Sequence, residues 1–390
     1  MTKSKFNGDV DYEKLSEKAL VNYDSILNTY SNEHKDLTYK YLKARDLRKS
    51  GYKLKDISKM IGVPESSVYR WSSLNQNPYS LNCIKELMDL ELLPLTQQNT
   101  PKFIIILKLY AYIFTDGYIS EKFSNIKVAG ELEDLKLLGQ EIGEIFPSVK
   151  LSIHTYQTKG ILDGRKINGI SHCLYINSTA LGRLLYVLGA PKGDKVKQIL
   201  TIPDWVFKLN SDLKKVFLGV LWSAEGSKPI KTTRGYNLCF GMAKDIKLQE
   251  HHVNFLNQIR ALFQEFDIQT TLLNIDKRFT TRQDGVISQK VYFYIKGGYT
   301  NFIRFYEDIP IFAMKKAHKF NETYKHYLDV AKRVQKRELL KNSVLNEAKE
   351  LFSQGYSTKR TSEIIGVPRS TLRYWTNKKE KFDDKLLVKN

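Results

Sequence analysis

The sequence predicts an α+β core made of two similar halves, with a small all-α segment on each flank. Three observations predict it. A helical pattern near the start of the chain returns near its end, at an offset of 304 residues. Two apolar, helix-length runs in the middle each end in an acidic residue followed by Gly. After each of them the hydrophobic period changes in the same order, giving helix, strand, helix, hairpin and helix. A chain of 390 residues suits several domains. The expected boundaries are an N-terminal charged segment at 1–37, a first helical domain at 38–78, and a linker at 79–100. Two core halves follow at 101–212 and 213–328, then a linker helix with a second helical domain at 329–378 and a basic tail at 379–390.

The flanking elements come first. Ala44–Trp71 reads ARDLRKSGYKLKDISKMIGVPESSVYRW, and Ala348–Trp375 reads AKELFSQGYSTKRTSEIIGVPRSTLRYW. In each, one helix stops at Gly51 or Gly355, where a left-handed cap suits Gly. A short second helix covers about Leu54–Ile61, with Ile57 and Ile61 on one face. Gly62 permits the turn between two steeply inclined helices. Pro64 opens a third helix at a position where its missing N–H costs little. There Val68 and Trp71 point inward while Ser66, Tyr69 and Arg70 point out. These segments resemble helix-turn-helix domains of resolvase and transposase type. The outward set of the second copy is Arg369, Ser370 and Arg373, so two major grooves would be read differently.

Composition narrows the class of partner. Lys and Arg number 62 against 42 Asp and Glu, a net charge of +20. Such an excess favours a polyanion, nucleic acid foremost. An apolar fraction of 42%, with 23 Tyr and 19 Phe, is enough for packed cores. Cys83, Cys173 and Cys239 lie far apart with no CxxC pair. That argues against a disulfide framework or a cysteine zinc site and suits a reducing compartment. The start, MTKSKFNGDVDYEK, has no apolar stretch of the signal-peptide kind. The most apolar run, Phe103–Phe114, contains Lys108 and falls short of the roughly 20 residues a membrane span needs. A soluble, cytoplasmic, nucleoid-associated protein with no membrane partner is expected.

In the middle region the runs FIIILKLYAYIFTDGYIS and KKVFLGVLWSAEGSKP end at Asp116-Gly117 and Glu225-Gly226. Strands are expected at Asn125–Ala129 and Tyr236–Met242, and helices at Glu133–Phe146 and Leu248–Phe266. Hairpin loops at Gln157–Ser171 and Arg278–Gln289 each contain Asp-Gly, a favoured turn pair. Closing helices lie near Leu181–Leu188 and Asn301–Tyr306. The motifs LYAYIFTDG and LGVLWSAEG, with GDKVKQILTIPDWV between them, resemble the single-chain LAGLIDADG homing endonucleases. The resemblance covers about 230 residues. It implies duplicated αββαββα halves, a pseudo-twofold core with antiparallel β-saddles, and a monomer that acts as an internal pseudo-dimer. Ala111 and Thr115, like Gly219 and Ser223, are small residues at i, i+4, spaced for close contact between the two motif helices. Tyr110 and Val220 depart from the family pattern.

The chemistry is expected at the ends of those helices. Gly117 and Gly226 would provide left-handed caps, leaving Asp116 and Glu225 at two adjacent C-termini that carry partial negative charge. Such a spot repels phosphate unless a hard divalent cation fills it. Mg²⁺, with Mn²⁺ as an alternative, suits two carboxylates plus water. The resemblance implies a metal-dependent double-strand cut in duplex DNA with one acid assigned to each strand, and a lysine beside each acid. The candidates are Lys195 and either Lys315 or Lys316, with internal spacing favouring Lys315. Sequence reading is expected from two ribbons with one apolar and one cationic-polar face. Lys150, His154 and Tyr156 lie on the first, and Lys290, Tyr292, Tyr294 and Lys296 on the second. The stretch Ala313–Asn342 holds nine basic and three acidic residues and suits phosphate contact. His251 and His252 are expected on a helix surface. Competing readings are a non-catalytic transcriptional regulator on the same scaffold, an RNA-binding maturase, and a transposase or recombinase. Both acids favour the endonuclease, and the twin arms favour duplex DNA over RNA.

Overall fold

The computed structural model describes residues 19–97, 100–162, 165–233, 235–282 and 284–377. The Asp163-Gly164 turn, the basic tail and residues 1–18 of the N-terminal segment lie outside the described residues. The chain forms two compact units, Met1–Glu322 and Thr323–Asn390.

The first unit opens with α1 (Tyr23–Leu27), α2 (Asn32–Lys49), α3 (Leu54–Ile61) and α4 (Glu65–Ser73). Gly51 (φ 88°) and Gly62 (φ 65°) are both left-handed, as the turns require. The Ser58 hydroxyl donates to the Val63 carbonyl at 2.6 Å and ties the second turn. Ile57, Ile61, Val68 and Trp71 are buried, and Trp71 meets the Tyr41 ring edge-on at 5.7 Å. The first half of the expected linker at 79–100 is α5 (Tyr79–Asp89), which buries Leu81, Ile84 and Leu87. The apolar i, i+3, i+6 spacing of those three residues gives α5 a face to pack, and a packed face does not leave a free tether.

Next come α6 (Pro101–Phe114), β1 (Gly117–Ile119), β2 (Ile126–Gly130), α7 (Leu132–Ile145), β3 (Lys150–Leu162), β4 (Arg165–Asn177) and α8 (Thr179–Val187). A 3₁₀ turn at Lys195–Lys197 and α9 (Asp204–Phe207) lead to α10 (Ser211–Glu225). The second half repeats the order with β5 (Ile230–Thr232), β6 (Gly235–Asp245), α11 (Gln249–Gln264), β7 (Asn274–Thr281), β8 (Ile287–Ile295) and α12 (Tyr299–Asp308). Each half holds a four-stranded antiparallel sheet, in the order β1-β2-β4-β3 and β5-β6-β8-β7. The first hairpin is tighter than its sequence suggests. Pairing runs out to Leu162↔Arg165, so most of the expected loop Gln157–Ser171 is strand. Its mixed polar sequence lacks the clean alternation that marks a half-buried strand.

Helices α6 and α10 pack against each other. Tyr110 is wholly buried between Trp205 (ring centroids 4.9 Å) and Phe217 (6.3 Å), so this bulky side chain fills the core. The small pair on α10 has a different role from the one expected. A Cβ on Gly219 would meet the Pro310 carbonyl oxygen at 2.4 Å, and the Ser223 hydroxyl accepts from the Phe312 N–H at 2.8 Å. This face therefore receives the 310–312 segment of its own half.

The helical module at the start of the chain is docked on α8. Arg183 Nη1 donates to the Thr29 carbonyl at 2.9 Å and its hydroxyl at 2.6 Å, and the guanidinium lies 3.5 Å from the Tyr30 ring centre. Ser178 donates to Glu86 at 2.6 Å. Helix α13 (Met314–Ser353) crosses from the first unit into the second, which then adds α14 (Thr358–Ile365) and α15 (Arg369–Asn377). Gly355 (φ 87°) and Gly366 (φ 73°) repeat the two left-handed turns, and Ser362 donates to Val367 at 2.6 Å, as Ser58 does to Val63. Among the described residues no helix is long and apolar enough to cross a membrane.

Candidate active site

Asp116 follows the last turn of α6, and Glu225 is the last residue of α10. Neither helix is stopped by a left-handed glycine. Gly226 has φ −74° and ψ 147°, and Gly117 already begins β1. Glycine is needed there for space. A Cβ on Gly117 would stand 2.6 Å from the Tyr112 carbonyl oxygen, and one on Gly226 would stand 2.5 Å from the Trp222 ring.

A lysine closes each helix end. Lys195 Nζ donates to the Gly117 carbonyl at 2.8 Å and to that of Ile113 at 3.3 Å. Lys316 Nζ donates to the carbonyls of Ser223 (2.6 Å), Ala224 (3.1 Å) and Gly226 (2.7 Å). The orphan carbonyls of a helix terminus and its negative dipole end favour such a cation. Lys315, favoured by internal spacing, points elsewhere. It is 78% exposed and pairs with Glu131 at 2.7 Å. Successive residues at the start of α13 face about 100° apart, so a count one residue out selects the wrong face.

The four groups form one electrostatic cluster. Burial pushes the Glu225 carboxyl up to about 7. Asp116 adds to the rise, and Lys195, Lys316 and Lys290 oppose it. Asp116 is raised too, first by loss of surrounding water, with Lys195 and Lys316 opposing. Its side chain keeps solvent access, so the effect is that of a cleft wall rather than of full burial. Burial drives Lys195 down to about 8 against the pull of Asp116 and Glu225, and it lowers Lys316 as well. Among the described residues neither carboxylate accepts a hydrogen bond or makes a close ion pair. Two mutually repelling, oxygen-only carboxylates of this kind have the donor chemistry that a hard divalent cation takes. A cleft of about 280 Å³ beside Asp116 is lined by that residue, Glu131, Asp134, Ser223, Lys315 and Lys316, among others.

Sequence alone missed Lys244. It is 3% exposed on β6, and its ammonium donates to the carbonyls of Lys195 and Gln198. Burial and the neighbouring Lys195 push it down to about 7. A lysine in a strand of mixed character gives no signal that it turns inward. His252, expected at a surface, is buried, shares a hydrogen bond with the Met242 carbonyl at 3.0 Å, and is pushed by burial to about 4.

The two sheets present the expected polar faces. On the first, His154 and Tyr156 (ring centroids 6.3 Å) lie beside Tyr175, whose hydroxyl is 2.7 Å from that of Tyr156. Lys127 lies 4.9 Å from the Tyr175 ring centre, and Lys150 is exposed at the start of β3. On the second, Lys290 is exposed while Tyr292 and Tyr294 (5.6 Å apart) are half-buried. Gly241, opposite Tyr292, admits no side chain, since an added Cβ would stand 2.4 Å from the Tyr292 Cβ. Lys296 falls one residue beyond β8, where its N–H donates to Gln269. Ser66, Tyr69 and Arg70 are exposed on α4, and Arg369, Ser370 and Arg373 on α15.

No family profile matches the chain. It is 28% identical over 290 residues to the tRNA-splicing ligase RtcB of Methanocaldococcus jannaschii, covering 71% of this chain and 28% of that one. It is 29% identical over 201 residues to the DNA-directed RNA polymerase subunit Rpo1N of the same organism, covering 49% of this chain and 15% of that one. It is also 27% identical over 169 residues to that organism's replication factor C small subunit, covering 43% of this chain and 9% of that one. The chain thus spans less than a third of each relative. Among solved structures it is similar to the homing endonuclease I-WcaI bound to its DNA recognition sequence. That match has a TM-score of 0.35 and 16% identity, over 63% of this chain and 95% of that one.

Proposed function

We propose that this chain is a site-specific DNA endonuclease of the LAGLIDADG homing type, making a metal-dependent double-strand cut in a long, asymmetric duplex site. The observation that carries the reading is the paired helix ends, each with one carboxylate and one capping lysine, between two antiparallel sheets of the same topology. Asp116 and Glu225 would hold Mg²⁺. When bound, the ion would supply an activated water and charge stabilisation at the scissile phosphate. Lys195 and Lys316 would stabilise charge building on phosphate oxygens. The tyrosines, histidine and lysines of the two sheet faces would contact bases and phosphates. The exposed residues of α4 and α15 would lengthen the recognised sequence.

The relatives support a module rather than any one of their activities. The match to the ligase covers 71% of this chain, so it overlaps those to the polymerase subunit (49%) and the replication factor subunit (43%). The ligase thus shares part of this chain with each of two proteins of different activity, and every match makes up a minor part of the relative. Ligation, transcription and replication do not transfer with such a segment.

The test is a metal switch on DNA captured by the protein. Fragments are bound in Ca²⁺, Mg²⁺ is added, and the ends are sequenced. Defined breaks that vanish in Asp116→Asn support the endonuclease. Specific capture with intact DNA replaces it with the regulator.

A further inference from the structure

The turn that carries each capping lysine is held by side chains of the opposite half. In the second half, the residues before Lys316 rest on α7 of the first. The Met314 N–H donates to Asp134 Oδ1 at 2.9 Å, and Lys315 pairs with Glu131 at 2.7 Å. In the first half, the turn around Lys195 rests on the second sheet. Lys244 donates to the carbonyls of Lys195 and Gln198, Arg282 reaches Asp194 at 3.3 Å, and Lys197 pairs with Asp284 at 2.7 Å. Asp134 lies in the first turn of α7, which follows β2, and Lys244 is the penultimate residue of β6, so each clamp lies near the end of the second strand of its half.

We infer that these contacts are reciprocal positioning devices: Asp134 of the first half sets Lys316, and Lys244 of the second half sets Lys195. This inference rests on the endonuclease reading above. The contacts differ in weight. Lys315–Glu131 is an exposed pair, and such pairs contribute little. The Asp134 carboxylate accepts a charge-assisted bond from a backbone N–H, and Lys244 is buried with its donors spent on backbone carbonyls, so each fixes main chain rather than a mobile side chain. A lysine held through its own backbone loses reach when that turn drifts, and a displacement of about 1 Å in a reacting array can cost roughly a hundredfold. Each half thereby vouches for the other's lysine.

The experiment measures the cutting rate of each strand separately, on end-labelled duplex carrying the captured site, with binding measured in Ca²⁺. Asp134→Ala should slow one strand by about tenfold or more and Lys244→Met the other, each accumulating nicked duplex with affinity within about twofold of the parent. Asp134→Asn keeps the acceptor and should restore that strand to within about twofold of the parent, which a role through charge alone would not allow. Arg282→Gln, a milder change on the same turn as Lys244→Met, should slow the same strand as Lys244→Met. Equal slowing of both strands by either clamp, or no rescue by Asp134→Asn, overturns the inference while leaving the endonuclease intact. A parent protein that binds but cuts neither strand overturns the endonuclease reading itself.

Discussion

The ammonium of Lys316 lies 2.7 Å from the Gly226 carbonyl, so a side chain from the far end of the second half closes the helix that carries Glu225. Lys195 does the same for the helix leading to Asp116. This equivalence separates two adjacent lysines that sequence could not. Lys316→Met should lower cutting by about a hundredfold or more with DNA affinity nearly unchanged. Lys315→Met, which removes one exposed ion pair, should change the rate by less than about fivefold. Strand-resolved cleavage checks both, and the reverse ranking would place the second lysine at 315 after all.

The two acids make a prediction about pH. The Glu225 carboxyl titrates near 7 in the folded protein and near 4.5 when unfolded. A raised carboxyl binds a proton more tightly in the fold, so its stabilising contribution is full below about 4.5 and fades as pH rises through 7. Without metal, the melting temperature of the parent should therefore fall between pH 5 and 8 relative to Glu225→Gln. Mg²⁺ should restore it at pH 8 and do much less at pH 5, because the ligand must be ionised. A melting difference that ignores both pH and metal would remove Glu225 from the ion's ligands. In cleavage assays Asp116→Asn and Glu225→Gln should each abolish the double-strand cut and leave binding intact.

Gly117 should tolerate no side chain. Its obstacle is the Tyr112 carbonyl and the backbone behind it, which cannot swing aside as a flexible side chain would. Gly117→Ala should cost about 1–3 kcal/mol in denaturant unfolding, as overpacking does. A loss under about 0.5 kcal/mol would mean that the helix end relaxes freely.

Much of this architecture was legible in the amino-acid order. Gly62 and Gly366 mark the turns of the flanking helices because a left-handed residue admits few alternatives. Tyr292 and Val291 alternate between a polar and an apolar face because a sheet with one covered side demands it. What stayed hidden has physical causes. Strands β1 and β5 hold three residues each, too few for a period to show. Lys244 is buried for backbone contacts between halves, and no local pattern encodes a distant carbonyl. The glycines after Asp116 and Glu225 serve a steric role and not a conformational one, and the two roles leave the same letter in the sequence.

Binding should be strongly ionic. With a charge of +20 and exposed lysines on both sheets, affinity for duplex DNA should fall by orders of magnitude between about 50 and 200 mM salt. Tyr69→Ala with Arg70→Ala should weaken capture and flatten that salt dependence, while the cutting rate at saturating protein stays put. A salt-independent affinity would contradict the nucleic-acid reading.

The clasp of Arg183 on Thr29 and Tyr30 has a metric consequence. It makes α4 and the first sheet parts of one body, so on the proposed reading they would meet a duplex at a fixed separation. Since B-DNA turns once in about 10.5 base pairs, inserting a single pair between their two contact zones would swing one zone by roughly 34° around the axis. The first unit would then act as a ruler, and its site would be defined by interval as much as by letters.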